Sequence, residues 1–314
     1  WARAILFCLV ATVTSERNNL PNAWKSGTIY KYELTGRTLT SLNQVANQYS
    51  GIKIKADVEI QLKNDNTINV QVKRALQAEV QTNLTRGWIT SISDSLVNYQ
   101  PIPLSESNFE LNLKNGVAKS MVVSKNIPTW ELNILKSVAS LLQVDTQGEN
   151  LQKSRVNNIP QRKNINGIYK TMEDTVDGEC ETMYTISPLR DEVYLIRPEL
   201  APHAHLRGPG KLIDIVKTRN FSNCDIRSAY HFGISGNNKW EPASNQMGNL
   251  LARSSVSRVI LSGDLDRHVI QSSVTTNKII ISPYFYNSQK GMVVSRMNLT
   301  LSSVNSASGS PKSP

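Results

Sequence analysis

The stretch Ile52–Leu62 alternates apolar and polar residues at every step. Side chains two positions apart share one face of a β-strand, so the pattern predicts a strand with one buried and one solvated face. The alternation resumes at Ile68 after the turn-like Asn64-Asp65-Asn66, which predicts a β-hairpin. The positions expected to be buried are Ile52, Ile54, Ala56, Val58, Ile60 and Leu62.

A second hairpin is predicted further along the chain. Phe109–Leu113 alternates in the same way, and Asn115-Gly116 separates it from the apolar run Val117–Val123. Asn-Gly between two such runs is a strong hairpin signal, because both residues tolerate a positive φ.

The apolar period changes between Pro128 and Gln143 and becomes helical. Pro128 suits the first turn of a helix, and Gly148 lies beyond its end. We therefore predict an amphipathic helix that is packed on, or inserted into, a curved sheet. Its apolar stripe is interpreted as ordinary core, with lipid contact as the alternative. The stripe consists of Trp130, Ile134, Leu135, Val138, Leu141 and Leu142.

The rest of the chain is built from short strand-like runs separated by Pro, Gly and Asn. Gln152–Asn166 is polar and basic and is predicted to be an exposed loop. Many short strands at close spacing predict a mainly β fold, either an antiparallel barrel or a sandwich. The predicted strands are Gly167–Glu173, Glu181–Ser187, Glu192–Ile196, Lys211–Thr218, Ser257–Ser262, Val269–Thr275, Lys278–Ser282 and Met292–Leu301.

The two ends of the chain differ from its middle. Arg3 precedes the apolar run Ala4–Val13, which has the length of a signal-peptide core, and the chain then becomes polar. Residues 1–15 are interpreted as the remnant of a secretion signal, with a buried strand as the alternative. Residues 302–314 are Ser/Pro-rich and predict the start of a linker. The folded domain is expected to span residues 16–301.

Secretion changes the interpretation of the cysteines. Cys8 lies inside the apolar run, which leaves Cys180 and Cys224 in the mature chain. In an oxidising compartment this pair predicts one disulfide, and two buried free thiols are the alternative. Three sequons become possible surface glycosylation sites in a secreted chain, although each is a weak signal by itself. They are Asn83, Asn220 and Asn298.

Catalytic signatures are absent from the sequence. It contains no G-x-S-x-G elbow, no H-E-x-x-H motif and no phosphate-binding glycine loop. We therefore expect no enzymatic activity and no required cofactor. The weak candidates for a metal site are His203, His205 and His231, but Pro202 and Gly208 predict a solvated loop around the first two.

The charge favours acidic partners. Lysine and arginine number 35 against 25 aspartate and glutamate residues, which gives a formal net charge of +10. The basic side chains are interpreted as solvated positions on sheet faces, or as an electropositive surface for a receptor with acidic modules. A metal-binding or non-specific nucleic-acid-binding surface is the alternative function. The basic candidates are Lys53, Lys55, Arg162, Lys163, Lys211, Lys217 and Arg219.

Several long strings resemble those of insect vitellogenins, and the resemblance extends from Trp24 to Leu301. The Ser-rich tail looks like the polyserine linker of that family. The strings are Ile127–Asn150, Thr171–Tyr184, Asn223–Gly233, Arg253–Ile260 and Ile270–Pro283.

The resemblance implies an antiparallel β-barrel, the N-sheet, around a central helix that matches Pro128–Gln143. It also implies that Cys180 and Cys224 form the disulfide that the insect proteins share. The family consists of secreted lipid carriers of the haemolymph that are stored in oocyte yolk after uptake by a receptor of the low-density-lipoprotein type. This N-terminal module is then expected to act in receptor recognition and in packing against the following helical and lipid-cavity domains. Lipid would be carried by the full-length protein.

Overall fold

The computed structural model describes residues 24–43, 47–203, 212–227, 230–231, 239–240, 251–281, 290–311 and 314. Most of these residues lie in β-strands, and two α-helices accompany them, α1 (Thr129–Leu142) and α2 (Asp191–Ile196). In this part of the chain no helix is long and apolar enough to cross a membrane. The strands are β1 (Thr28–Asn43), β2 (Gln48–Asn64), β3 (Thr67–Asn83), β4 (Gln100–Pro101), β5 (Phe109–Lys114), β6 (Val117–Val122), β7 (Gly167–Thr175), β8 (Gly178–Pro188), β9 (Ile213–Arg227), β10 (Tyr230–His231), β11 (Lys239–Trp240), β12 (Leu251–Gly263), β13 (His268–Ile281) and β14 (Lys290–Ser306).

Twelve of the strands form one antiparallel sheet. Their order is β6-β5-β3-β2-β1-β14-β13-β12-β9-β8-β7, with β4 paired beside β3, while β10 and β11 form a separate ribbon. The sheet curves into a nearly closed barrel whose two edges are β6 and β7. The predicted mainly β fold, an antiparallel barrel around a helix, is confirmed.

Both predicted hairpins are present. Strands β2 and β3 pair with Ile60 opposite Val70. Strands β5 and β6 are joined at Asn115 (φ 50°) and Gly116 (φ 82°), the left-handed conformation that the Asn-Gly pair predicts. Three of the six expected positions are not fully buried: Ile54 and Leu62 are half-buried, and Ile52 is 45% exposed, because it lies towards the end of the barrel, beyond the continuous core.

Helix α1 packs its apolar face into the main core of the barrel. Leu135 and Val138 are buried there beside Tyr30 and Tyr169 from the barrel wall. Trp130 was expected on the buried stripe but is 45% exposed. The first turn instead buries Glu131, whose Oε1 accepts hydrogen bonds from the Ser105 backbone N–H at 2.9 Å and from the Ser105 hydroxyl at 2.5 Å.

The segment that follows α1 fills the gap between β6 and β7. The Gln143 side chain accepts a hydrogen bond from Ala118 N–H of β6 and donates one to the Asp174 carbonyl of β7, both at 2.9 Å. Val144 N–H donates to the Gly116 carbonyl at 2.9 Å, and Gln152 N–H donates to Lys170 at 2.8 Å. The two edge strands therefore have hydrogen-bonding partners, which closes the barrel.

Three other predictions are corrected by the structure. Glu192–Ile196 is the helix α2 and not a strand, because it lies outside the sheet, where Val193 packs on a small outer cluster around Ile260. The two runs predicted at 269–275 and 278–282 form one strand, β13, as far as the described residue Ile281, since Asn277 pairs with Ser255 instead of starting a turn. Strand β14 continues to Ser306 and so includes the first residues of the predicted linker. Strand β1 was not predicted.

Candidate functional site

The cysteine pair predicted from the sequence is bonded. Cys180 of β8 and Cys224 of β9 form a disulfide, with a sequence separation of 44 residues. They are direct cross-strand partners, and the register shifts on both sides of Cys180. The bond therefore fastens the irregular part of the β8–β9 pair.

Two of the predicted basic residues are engaged by a strap on the outer face of the barrel. The strap is the connection between β3 and β4, residues 84–99. Lys53 donates to the Ile92 carbonyl at 2.7 Å and also bonds Asp94. Lys55 lies 3.5 Å from the Asp94 carboxylate and 4.0 Å from the centre of the Tyr99 ring. The main contribution to lowering the pKa of Asp94 is its hydrogen bond from Lys53. Both lysines thus fix the strap in place.

Two other predicted surface residues lie on the inner face of the barrel, so that prediction is corrected. Lys217 is only 5% exposed and its Nζ lies 3.0 Å from Glu173 Oε1 and 3.0 Å from the Gln143 carbonyl. Arg219 is partly buried and donates to the Glu173 carbonyl at 3.2 Å and to the Gly178 carbonyl. Their strand alternates inward and outward, and both occupy inward positions beyond Ile213 and Ile215. Neither lies on the outer surface expected of a receptor contact.

Glu173 and Lys217 belong to a buried polar cluster. Tyr184 donates to the Glu173 carboxylate and accepts a hydrogen bond from Asp145 N–H at 3.1 Å. Tyr169 donates to the Asp145 carbonyl. Burial, together with the negative charge of Glu173, raises the pKa of Tyr184 well above 10 and keeps the phenol protonated as a donor. The sequence carries a signal for this cluster, because Glu173 shares its strand face with Tyr169.

The other predicted basic residues that the structure describes lie on an exposed segment. We name this segment the basic loop (Gln152–Asn166). It carries Lys153, Arg155, Arg162 and Lys163, all exposed, and contains no acidic residue. Arg162 pairs with Asp266, with Nε 2.8 Å from Oδ2. Lys153 and Arg155 were not among the predicted residues, although the acid-free composition of the segment could have identified them. Predicted Lys211 lies outside the described residues.

The basic loop has a fixed backbone. Asn158 and Ile168 exchange two backbone hydrogen bonds of 2.7 and 2.9 Å, and the Asn157 amide donates to the Gln152 carbonyl at 2.6 Å. Pro160 is buried and packs directly over Gly167, where a Cβ atom would lie 2.6 Å from the proline ring. These contacts attach the loop to β7 and hold its basic side chains on the outside.

The three candidate histidines do not come together as a site within the described chain. His203 N–H donates to the Gln271 side chain at 3.1 Å. His205 lies outside the described residues, and only the backbone of His231, in β10, is described. Where the chain is described, no three His, Cys, Asp or Glu residues are grouped as metal ligands.

The three sequons lie in different surroundings. Asn83 ends β3 and is exposed. The Asn220 amide is exposed but donates to Glu181 at 3.0 Å. Asn298 is half-buried in the middle of β14, between β1 and β13. Glycosylation at these positions stays a prediction.

Known proteins resemble this chain in sequence and in fold. The sequence model of the vitellogenin N-terminal domain family matches residues 24–309 of this chain. A vitellogenin of Anthonomus grandis is 36% identical over 99% of this chain and 17% of its own length. Vitellogenin-1 of Solenopsis invicta is 36% identical over 91% of the chain and 17% of its own length. The chain thus spans about a sixth of these relatives.

A solved structure also shares the fold. It describes lipid–protein interactions in lipovitellin and superposes with a TM-score of 0.64 at 14% identity, over 92% of this chain and 26% of that one. The barrel, the helix inside it and the sequence matches agree with one another. The chain belongs to the vitellogenin N-terminal domain family.

Proposed function

We propose that this chain is the N-terminal module of a secreted yolk lipoprotein that transports lipid and serves as a nutrient reserve. Family membership supports the proposal, and the lipid itself is assigned to the full-length protein. The disulfide supports an oxidising compartment, which agrees with a secreted protein. The function assigned to this module is one of binding and not of catalysis.

The basic loop is the proposed recognition surface for a receptor with acidic modules of the low-density-lipoprotein type. The observation that carries this proposal is the exposure of four basic side chains on an anchored segment without an acidic residue. A fixed loop loses little conformational entropy on binding, and its positive charge attracts an acidic partner. The loop contains no aromatic residue on which nucleic-acid bases could stack, which favours a protein partner.

Charge reversal tests this surface. The triple variant Lys153→Glu, Arg155→Glu and Lys163→Glu should weaken binding to an acidic receptor repeat by at least about tenfold and reduce its salt dependence. A matched control reverses three other exposed basic residues, Arg86, Lys125 and Arg190, with the same change in net charge. Surface plasmon resonance at several salt concentrations gives the affinities. Equal losses in the two variants would show that net charge, and not the basic loop, determines binding.

Packing against the domains that follow is proposed at helix α2. Leu195 and Ile196 are 77% and 81% exposed there, more than any other large apolar side chain described. Replacing both with Ser should leave the stability of this chain unchanged but lower the melting temperature of the full-length protein. An unchanged full-length melting temperature, measured by calorimetry, would place the interface elsewhere.

A further inference from the structure

A cavity of about 260 Å³ remains inside the barrel, between α1 and the opposite strands. At about 30 Å³ for each water molecule, it has room for roughly eight waters or for one small organic ligand. It lies on the inner face, whereas the basic loop is outside. It therefore belongs to a different site from the one proposed for receptor recognition.

One wall of the cavity is polar because of the strand register. Directly opposed residues of neighbouring strands share a sheet face, and here each such pair contributes a polar side chain to the interior. Thr38 bonds Ser295 at 3.1 Å, but the Asn277 Oδ1 atom is shielded and has no partner among the described residues. We name this row the polar belt, and its members in order are Thr38, Ser295, Asn277, Ser255, Arg219 and Thr182.

The opposite wall of the cavity is apolar. Ile134 and Leu141 contribute to it from α1, while Ile54 and Met297 add apolar surface beside the polar belt, from β2 and β14. The two serines of the helix that face the cavity, Ser137 and Ser140, donate to carbonyls of their own helix at 2.9 Å. The space therefore has one hydrogen-bonding side and one hydrocarbon side.

Arg219 lines the cavity and offers it an unused hydrogen-bond donor. Its Nε atom is shielded from solvent and has no hydrogen-bond partner in the described chain. The two acidic groups at the cavity already have cations: Lys217 lies 3.0 Å from Glu173, and Arg253 lies 3.2 Å from Asp177. Burial lowers the pKa of Arg219.

We propose that this cavity binds a small aliphatic monocarboxylate. The carboxylate accepts hydrogen bonds from Arg219 Nε and from hydroxyl groups of the polar belt, and the hydrocarbon chain lies along Ile134 and Leu141. A single negative charge suits the Arg219 guanidinium, because Glu173 and Asp177 would repel a dianion. A molecule of about ten non-hydrogen atoms, such as octanoate, matches the volume.

Calorimetric titration of the 314-residue chain with octanoate tests the site. We expect saturable binding of one equivalent, with acetate and 1-octanol each at least about tenfold weaker, since acetate lacks the chain and octanol lacks the charge. No saturable binding, or octanol binding as tightly as octanoate, overturns the proposal.

Two variants of adjacent residues localise the binding. Ser255 is buried and faces the cavity, whereas Ser254 is exposed on the other face of the same strand. Ser255→Leu fills the polar side and should reduce octanoate affinity at least about tenfold, while Ser254→Leu should leave it unchanged. Equal affinities in the two variants place the ligand elsewhere and overturn the assignment.

Arg219→Gln separates charge from volume. It should abolish the preference for octanoate over octanol while octanol binding persists. Because Arg219 also bonds two carbonyls near the β7–β8 turn, circular dichroism must first show that this variant is folded. If it does not fold, the comparison of octanoate with octanol on the unsubstituted chain still decides whether charge matters. A folded variant that keeps the preference overturns the role of Arg219.

Discussion

At the scale of single residues, Lys217 and Glu173 can both be buried because each neutralises the charge of the other. Either charge would be costly to bury alone. Here the Lys217 ammonium lies within hydrogen-bonding distance of the Glu173 carboxylate and of the Gln143 carbonyl. The lysine also contacts the Gln143 carbonyl at 3.0 Å, so the pair is connected to the segment that closes the barrel.

Removing one member of this pair should be strongly destabilising. Lys217→Met leaves the Glu173 carboxylate buried without its cation, and we expect a loss of about 3–5 kcal/mol in the free energy of unfolding. The control is Lys170→Met, in the more exposed pair of Lys170 and Glu181 on the neighbouring strands, with a loss below about 1 kcal/mol. Urea titration gives both values. Similar losses would mean that burial of the first pair has little energetic effect.

His268 predicts a pH dependence of stability. Burial lowers its pKa from 6.5 to about 4, and its Nδ1 atom is shielded from solvent, although part of the ring is exposed. Below about pH 6.5 the unfolded chain binds a proton that the folded chain does not bind until about pH 4. Its contribution to stability is therefore present above pH 6.5 and is lost progressively as the pH falls towards 4.

The variant His268→Gln tests this dependence. The fall in the free energy of unfolding between pH 7 and 4.5 should be smaller in the variant than in the unsubstituted chain. We expect a difference of about 2 kcal/mol, less than the full shift implies, because the ring is partly solvated. Urea titrations at both pH values provide the comparison. An equal fall in the two proteins would assign the acid sensitivity to other groups.

At the scale of elements, helix α1 shows how a helical stripe is divided between core and solvent. Leu135 is 2% exposed and Trp130 is 45% exposed, although both fall on the predicted stripe. Trp130 lies in the first turn, which is anchored instead by the buried Glu131 and its hydrogen bonds to Ser105.

Truncation of the two stripe residues should therefore have unequal effects. Leu135→Ala creates a cavity in the main core and should cost about 2–5 kcal/mol. Trp130→Ala removes a side chain that is half solvated and should cost less than about 1 kcal/mol. Guanidinium titrations of the two variants measure the difference. A larger loss for Trp130→Ala would mean that the first turn contributes more to the core than its exposure indicates.

At the scale of the whole molecule, closure of the barrel depends on a segment that is not a strand. Gln143 joins β6 to β7, and Gly116 approaches Val144 so closely that a Cβ atom would lie 1.9 Å from the Val144 carbonyl oxygen. The edge strands β6 and β7 do not pair with each other. Their backbone groups are instead covered by these contacts, which protects the edges of the sheet from pairing with another chain.

Loss of the Gln143 side chain should open this junction. Gln143→Ala leaves Ala118 N–H and the Asp174 carbonyl without their partner, so amide hydrogen exchange in β6 should become faster. The control is Gln147→Ala, whose amide bonds Asp266 at 2.9 Å on the surface. Exchange measured by mass spectrometry should change in the first variant only. Unchanged protection of β6 would mean that backbone contacts alone close the barrel.

Much of the fold could be predicted from local sequence. The alternation through Val58 and Ile60, the Asn115-Gly116 turn and the helical period through Leu135 each reflect the geometry of one element. The disulfide pairing followed from there being only Cys180 and Cys224 outside the N-terminal apolar run. These features depend on residues close in sequence or on simple counting.

The location of the basic side chains could not be predicted in the same way. Lys53 lies between Ile52 and Ile54 and holds an external strap, whereas Lys217 follows Val216 and lies inside the barrel. Register between strands that are distant in sequence determines which face of a strand points into the barrel. It also determines which acidic residue lies opposite a given lysine. The polar belt exists for the same reason, because Thr38, Asn277 and Arg219 fall into one row only through the register of the paired strands. The sequence by itself determined most of the elements, the disulfide and the family, whereas only the tertiary structure decided which charges are free and what the barrel encloses.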